Sequence, residues 1–267
     1  MSTLIASTEM ELTYSAYLER QYHEISTAGI AAAVERLRPA DKFSFQAGQW
    51  YPEPYVGHAL VAMVEGDSAN TTLKAQLASI ENELSYNYAD PTTLCLLPGH
   101  SFHQTIANTL SADRYQRLVV ERGLESQYPG MVTSVLADLP EPASSRSLSL
   151  RMVGLSIFSS AIGLLGVFEE EEDFQRVVNF RDLFYGHQQV GNLGIRRTRP
   201  FIGHVTLAYV GGPLDSVAKA RLADIVGAIN RVIQTRDLRF HLPRVELRAY
   251  QHLGEFRALP GLPTARL

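Results

Sequence analysis

Residues 152–168, MVGLSIFSSAIGLLGVF, contain no charged side chain, and a run of this kind must be buried in lipid or in a protein core. Its length sits at the lower limit of the roughly 17–25 residues that a membrane-spanning helix needs. Three glycines and the pair Ser159-Ser160 argue against a helix, because they divide the run into two pieces of strand length. The run therefore predicts a β-hairpin inside a core. The acidic segment at 169–173 suits the first turn of a following helix, where carboxylates meet the positive end of the helix dipole.

A buried hairpin needs elements to cover it. Ile30, Val34 and Leu37 recur at helical spacing in the first forty residues, and Pro39 closes that helix. Segments 43–50 and 56–64, and later 92–97 and 102–110, have the composition of strands. Helices are expected over 71–84, with Leu73, Leu77, Ile80 and Leu84 on one stripe, and over 113–122. After the hairpin come a helix over 170–185, a glycine-containing loop, a strand over 201–210 and a helix over 216–235. Both halves thus run strand, strand, helix, strand, helix, and the tail, 238–259, adds one or two strands. Without regular βαβ alternation this is an α+β pattern. The expected division is an N-terminal helical extension, 1–40, and a single bilobal domain, 41–267. Its lobes fall at 41–138 and 146–240, with a hinge at 139–145 rich in Pro and Ser.

Composition narrows the function. The chain has 267 residues, 45% hydrophobic and 19% charged, the balance of an ordinary globular protein. One cysteine, Cys95, excludes an intramolecular disulfide and a cysteine-built zinc site; in its apolar strand it reads as a buried hydrophobe. A net charge of −4 argues against a protein that coats long duplex nucleic acid, yet leaves room for a small phosphate ligand. The opening MSTLIASTEM lacks the features of a signal peptide, so a cytoplasmic address is expected. A monomer without membrane contact is expected as well.

Two of the eight histidines are followed two positions later by Ser or Thr: His103-Gln104-Thr105-Ile106 and His204-Val205-Thr206-Leu207. Both fall in expected strands, one in each half. Side chains alternate along a strand, so His103 and Thr105 share one face, as do His204 and Thr206. Ser and Thr make up about one residue in eight, so about one such triplet is expected by chance. Two, each closed by an apolar residue and each on a strand, exceed that.

On these motifs the sequence resembles the 2H phosphoesterases, a superfamily with two H-x-(S/T)-x motifs, which includes 2′-5′ RNA-ligase-like proteins and cyclic phosphodiesterases. The likeness is strongest at residues 201–207, fair at 96–106, and covers the pattern of elements from about 42 to 210. Gln104 departs from it, since the middle position is more often apolar. The resemblance implies two pseudo-symmetric lobes around a cleft. It also implies a phosphoric diester hydrolase without cofactor or metal, acting on a cyclic phosphate or 2′-5′ phosphodiester of a small nucleotide or RNA end. The rival expectation is a nucleotide- or RNA-end-binding module with little turnover.

The chemistry agrees with the residue types. Cleaving such an ester requires a base for the attacking oxygen and an acid for the leaving alkoxide, and two imidazoles near their ordinary pKa of about 6.5 supply both. His103 and His204 are the expected pair, with a bell-shaped pH profile whose limbs lie within about two units of that value. Thr105 and Thr206 can donate to the non-bridging phosphate oxygens. No acidic residue stands within three positions of either histidine, so no metal is expected there. Around the motifs, His100 is expected on the opposite face from His103, and Ser101 reads as a structural hydroxyl. Tyr209 is a candidate base-stacking aromatic but, of opposite parity to His204, reads as core or flank. Arg197 and Arg199 are within reach of a phosphate but, with Arg196, read first as a solvated loop.

Overall fold

The computed structural model describes residues 10–88, 90–141, 146–242 and 244–267. Helices α1 (Tyr14–Glu24) and α2 (Thr27–Glu35) each start at a hydroxyl: Thr13 accepts from the Ala16 N–H and Ser26 from the Gly29 N–H. Next come β1 (Phe43–Gln46), β2 (Gln49–Pro52), β3 (Gly57–Met63), α3 (Thr71–Asn87), β4 (Leu94–Leu96), β5 (His103–Ser111) and the short α4 (Ala112–Tyr115). The second half holds α5 (Tyr128–Asp138), β6 (Leu148–Phe158), β7 (Ala161–Val167), α6 (Glu171–Gly186), α7 (Gln188–Asn192) and β8 (His204–Val210). It ends with α8 (Ser216–Ile233), β9 (Arg239–Leu242), β10 (Glu246–Tyr250) and β11 (Arg257–Ala258).

The fold is α+β. Two antiparallel sheets form, in the orders β11-β10-β3-β5 and β4-β8-β7-β6-β9, with β1-β2 as a separate hairpin. The uncharged run is a hairpin: β6 and β7 pair from Arg151↔Val167 to Phe158↔Ala161 around Ser159-Ser160, and all of β7 is buried. Ser159 takes φ 52°, as a tight two-residue connection requires. No helix among the described residues is long and apolar enough to cross a membrane.

The sheets interlock across the halves of the sequence. Strand β4 joins the sheet of the second half, while β10 and β11 from the tail complete the sheet of the first. Of the hinge expected at 139–145, residues 142–145 lie outside the described residues. Helix α1 packs into the core through Tyr17 and Gln21, both fully buried, and α2 through Ile30, Ala33 and Val34. Gln21 Nε2 donates to the carbonyls of Gly166 and Gly203 at 2.8 and 3.0 Å.

Several local expectations change. The strand expected at 43–50 turns back on itself at Ala47 and Gly48, both at positive φ (48° and 81°), giving β1 and β2. The helix expected at 113–122 loosens after α4 into a π-turn over Gln116–Val120, and α5 follows it unforeseen. The glycine-containing loop at 186–194 includes α7, pinned by buried Val190 and by a 2.9 Å bond from Gln189 Nε2 to the Met131 carbonyl.

Candidate active site

His103 opens β5 and His204 opens β8, so each imidazole stands at the start of its strand. Gln104 links these strands. Its Nε2 donates to the carbonyls of Thr105 and Ile202 at 2.7 and 2.9 Å, and its Oε1 accepts from the His204 N–H at 2.6 Å. The side chain is fully buried, which fits a polar group with every bond made.

Beyond each threonine the alternation breaks in the same way. Val61 pairs with Thr105 but Leu60 with Ala107; Gly163 pairs with Thr206 but Ile162 with Ala208. Each motif strand therefore carries one extra residue, a β-bulge that resets which side chains face outward. Ile106-Ala107 and Leu207-Ala208 are buried, and Asn108 and Tyr209 return to the face of the histidines. Tyr209 is thus a correction: plain alternation puts it on the core side, and the bulge turns it outward. The bulge also exposes a local repeat, His103-Gln104-Thr105-Ile106-Ala107-Asn108 against His204-Val205-Thr206-Leu207-Ala208-Tyr209.

These faces line a cleft of about 370 Å³ that holds His103, Thr105, Asn108, His204, Thr206 and Tyr209 together. Lys42 and Arg199 add positive charge to its wall, with the Asp41 carboxylate beside Lys42; Tyr55, Phe158, Tyr250 and Phe256 add aromatic surface. The two imidazoles are anchored alike. Nδ1 of His103 bonds the Ser101 carbonyl at 2.6 Å and Nδ1 of His204 bonds the Ile202 carbonyl at 3.2 Å, in each case two residues back. A carbonyl only accepts, so Nδ1 carries the proton and Nε2 is left for chemistry. Phe256 packs on His103 with ring centres 4.0 Å apart, and Phe158 on His204 at 5.4 Å.

Burial pushes both imidazoles down to about 4. The Ser101 carbonyl opposes this at His103, where Arg248 adds to it; at His204 the Arg199 guanidinium adds further. Both rings are accordingly neutral near pH 7.

The neighbours sort differently from expectation. Arg197 is buried, paired with Asp182 and 3.4 Å from Glu11, so it belongs to no solvated loop; Arg199 faces the cleft. Ser101 bonds the Pro98 carbonyl through its hydroxyl, at 2.8 Å, and contributes to the site only through its own carbonyl. His100 sits exposed in the turn Gly99–Ser101. Among the described residues no three His, Cys, Asp or Glu side chains converge as a metal-binding group would.

Sequence reasoning missed the wall on the side of β1 and the tail. Lys42 and Tyr55 flank the β1–β2 hairpin, with Lys42 Nζ 4.8 Å from the Tyr55 ring centre and 2.7 Å from Asp41. The hairpin is held by Trp50, whose indole donates to the Pro91 carbonyl at 2.9 Å and whose ring lies where a Gly211 side chain would stand. Tyr250 stacks on Tyr55 at 6.2 Å and 7°. No motif marks these residues; the pairing of β10 with β3 delivers Tyr250.

The fold is similar to that of a conserved protein of unknown function from Agrobacterium tumefaciens str. C58, ATU0111. The TM-score is 0.60 with 17% identity, over 89% of this chain and 96% of that chain. Two structures of Kluyveromyces marxianus Usb1 are similar at a lower level. The one with uridine monophosphate has TM-score 0.40 and 13% identity over 79% of this chain and 97% of that chain. The other has TM-score 0.41 and 14% identity over 80% and 99%. No protein-family model and no curated protein matches the sequence significantly.

Proposed function

We propose that this chain is a phosphoesterase of the 2H type, cleaving a cyclic phosphate or 2′-5′ phosphodiester of a nucleotide or RNA end. The observation that carries the reading is the matched pair of imidazoles. Each is anchored through Nδ1 to the carbonyl two residues back, each has a threonine on the same face, and both line one cleft. In the reaction one neutral Nε2 takes a proton from the attacking water, a P–O bond forms to that oxygen, and the bond to the leaving alkoxide breaks. The second imidazole, protonated, gives its proton to that alkoxide. Thr105 and Thr206 donate to the non-bridging oxygens, and Lys42 and Arg199 attract the anion.

The aromatic wall suits a base, and the cleft volume suits a single nucleotide unit at a time. The test is a screen of the purified full chain, with excess EDTA, against 2′,3′-cyclic nucleotides, 2′-5′ oligoadenylates and cyclic dinucleotides. Product that grows with time and with protein concentration supports the reading. Saturable binding without product on all three classes supports the binding module instead.

A further inference from the structure

Arg181 lies outside the cleft, on α6, and is only 3% exposed. Its guanidinium reaches the approaches to both motifs at once. Nη1 donates to the Ile106 carbonyl at 2.5 Å, one residue past Thr105, and Nη2 donates to the Arg199 carbonyl at 2.8 Å, ahead of His204. Nε donates to Oε1 of Glu11 at 2.6 Å, and Oε2 of the same carboxylate accepts from the Phe201 N–H at 2.7 Å. One buried pair therefore holds three backbone groups: one on β5 and two in the segment entering β8. That segment is gripped elsewhere by Gln104 at Ile202 and His204, and by Gln21 at Gly203. Glu11 and Gln21 both come from the N-terminal forty residues, for which the motifs assign no role.

A buried ion pair adds little net stability, because desolvation offsets much of the attraction. What this pair does impose is geometry. The planar fork of arginine serves two carbonyls in fixed directions, whereas a lysine ammonium keeps the charge without the fork. We infer that Arg181, held by Glu11, is a positioning residue that sets the spacing between the strands carrying His103 and His204. The inference rests on the phosphoesterase reading for what that spacing serves; the spacing itself is observable separately.

The test uses Arg181→Lys and Glu11→Gln in the full chain. Two measurements are made: steady-state turnover of 2′,3′-cyclic nucleotides, and nitrogen NMR of the histidine rings with 15N-histidine. Expected for Arg181→Lys is a fall in kcat of about tenfold to a hundredfold with KM nearly unchanged, the loss typical of misplaced reacting groups. The His103 and His204 ring signals should shift while circular dichroism stays as in the wild type. Glu11→Gln, which leaves the Arg181 charge unpaired, should move the same signals in the same sense. Arg181→Lys with kcat within about twofold of wild type and both ring spectra unchanged overturns the inference. So does a kcat loss that vanishes at lower temperature, which marks lost stability alone. If His204→Ala turns over as fast as wild type, the phosphoesterase reading fails, and the ring spectra still decide the positioning claim. Should Arg181→Lys not fold, Glu11→Gln alone carries the comparison, and unchanged ring signals there overturn the inference.

Discussion

The main-chain N–H of His204 donates to Oε1 of Gln104 at 2.6 Å, so the second imidazole is tied to the residue that follows the first. Gln104 stands where the motif this sequence resembles more often has an apolar residue, and it has a structural use here. Replacing it by leucine takes this partner from the part-buried His204 N–H and Ile202 carbonyl. Gln104→Leu should lose about 1–3 kcal/mol of stability, the cost of an unsatisfied buried group. It should also lower kcat more than KM changes. Urea denaturation and steady-state kinetics on the same preparation check both. A stable, fully active Gln104→Leu protein would mean that the tie is incidental.

Protonation gives a prediction with a definite sign. With both rings at about 4, the free enzyme at neutral pH lacks the proton that the acid must carry. Because kcat/KM reports ionisation of the free enzyme, it should fall as pH rises from 5 to 8, by close to tenfold per unit. This moves the optimum of kcat/KM below the window expected from unperturbed histidines. A bound phosphodiester anion raises the ring pKa, so nucleotide binding near pH 6 should take up a proton. Calorimetry in buffers of different ionisation enthalpy measures that uptake. Zero uptake, with kcat/KM flat from pH 5 to 8, would refute the assignment.

The same shifts act on stability. His58, His103 and His204 are all lowered to about 4 in the folded chain, mainly by burial, from about 6.5 when unfolded. Between those values the unfolded chain binds more protons than the native one, so stability falls as pH falls through that window. The urea midpoint should be lower at pH 5 than at pH 7. His58 packs between Tyr115 and Tyr128 and lines no part of the cleft, so His58→Phe should reduce this pH dependence while turnover is retained.

Under the proposed function, Tyr209 in the cleft wall should separate binding of the base from chemistry at phosphorus. Base–aromatic stacking contributes about 1–3 kcal/mol, so Tyr209→Ala should raise KM for a cyclic nucleotide by roughly tenfold or more. Tyr209→Phe should change it little. A cyclic phosphate lacking a base should be nearly indifferent to both variants. Equal losses on the two substrates would place Tyr209 outside base recognition.

How far the sequence reached follows from its periodicities. The histidines and threonines of the two motifs were legible because a strand repeats every two residues, and two short motifs are read before any irregularity enters. Tyr209 and Asn108 were not, because a bulge leaves no mark in the order of residue types. The hairpin at 152–168 was legible because Ser159-Ser160 interrupts an otherwise apolar run. The turn at Ala47-Gly48 was hidden, since alanine rarely takes a positive φ. Lys42, Tyr250 and Phe256 enter the cleft through tertiary placement of a hairpin and a tail. Arg181 carries no signal at all, being one arginine in an amphipathic helix. The α+β class was readable throughout; the exchange of β4 and β10 between sheets was not.

His103 and His204 are proposed to act as one acid–base unit without a metal. The most direct measurement is turnover of the best cyclic nucleotide by wild type, His103→Ala, His204→Ala and the double variant, each with and without EDTA. Each single variant should lose about a hundredfold or more, the ordinary contribution of a positioned acid or base. The double variant should lose far less than the product of the two, as groups that act together do. EDTA should change nothing. A single variant with near-wild-type turnover, or activity lost in EDTA and restored by zinc or manganese, would contradict the account.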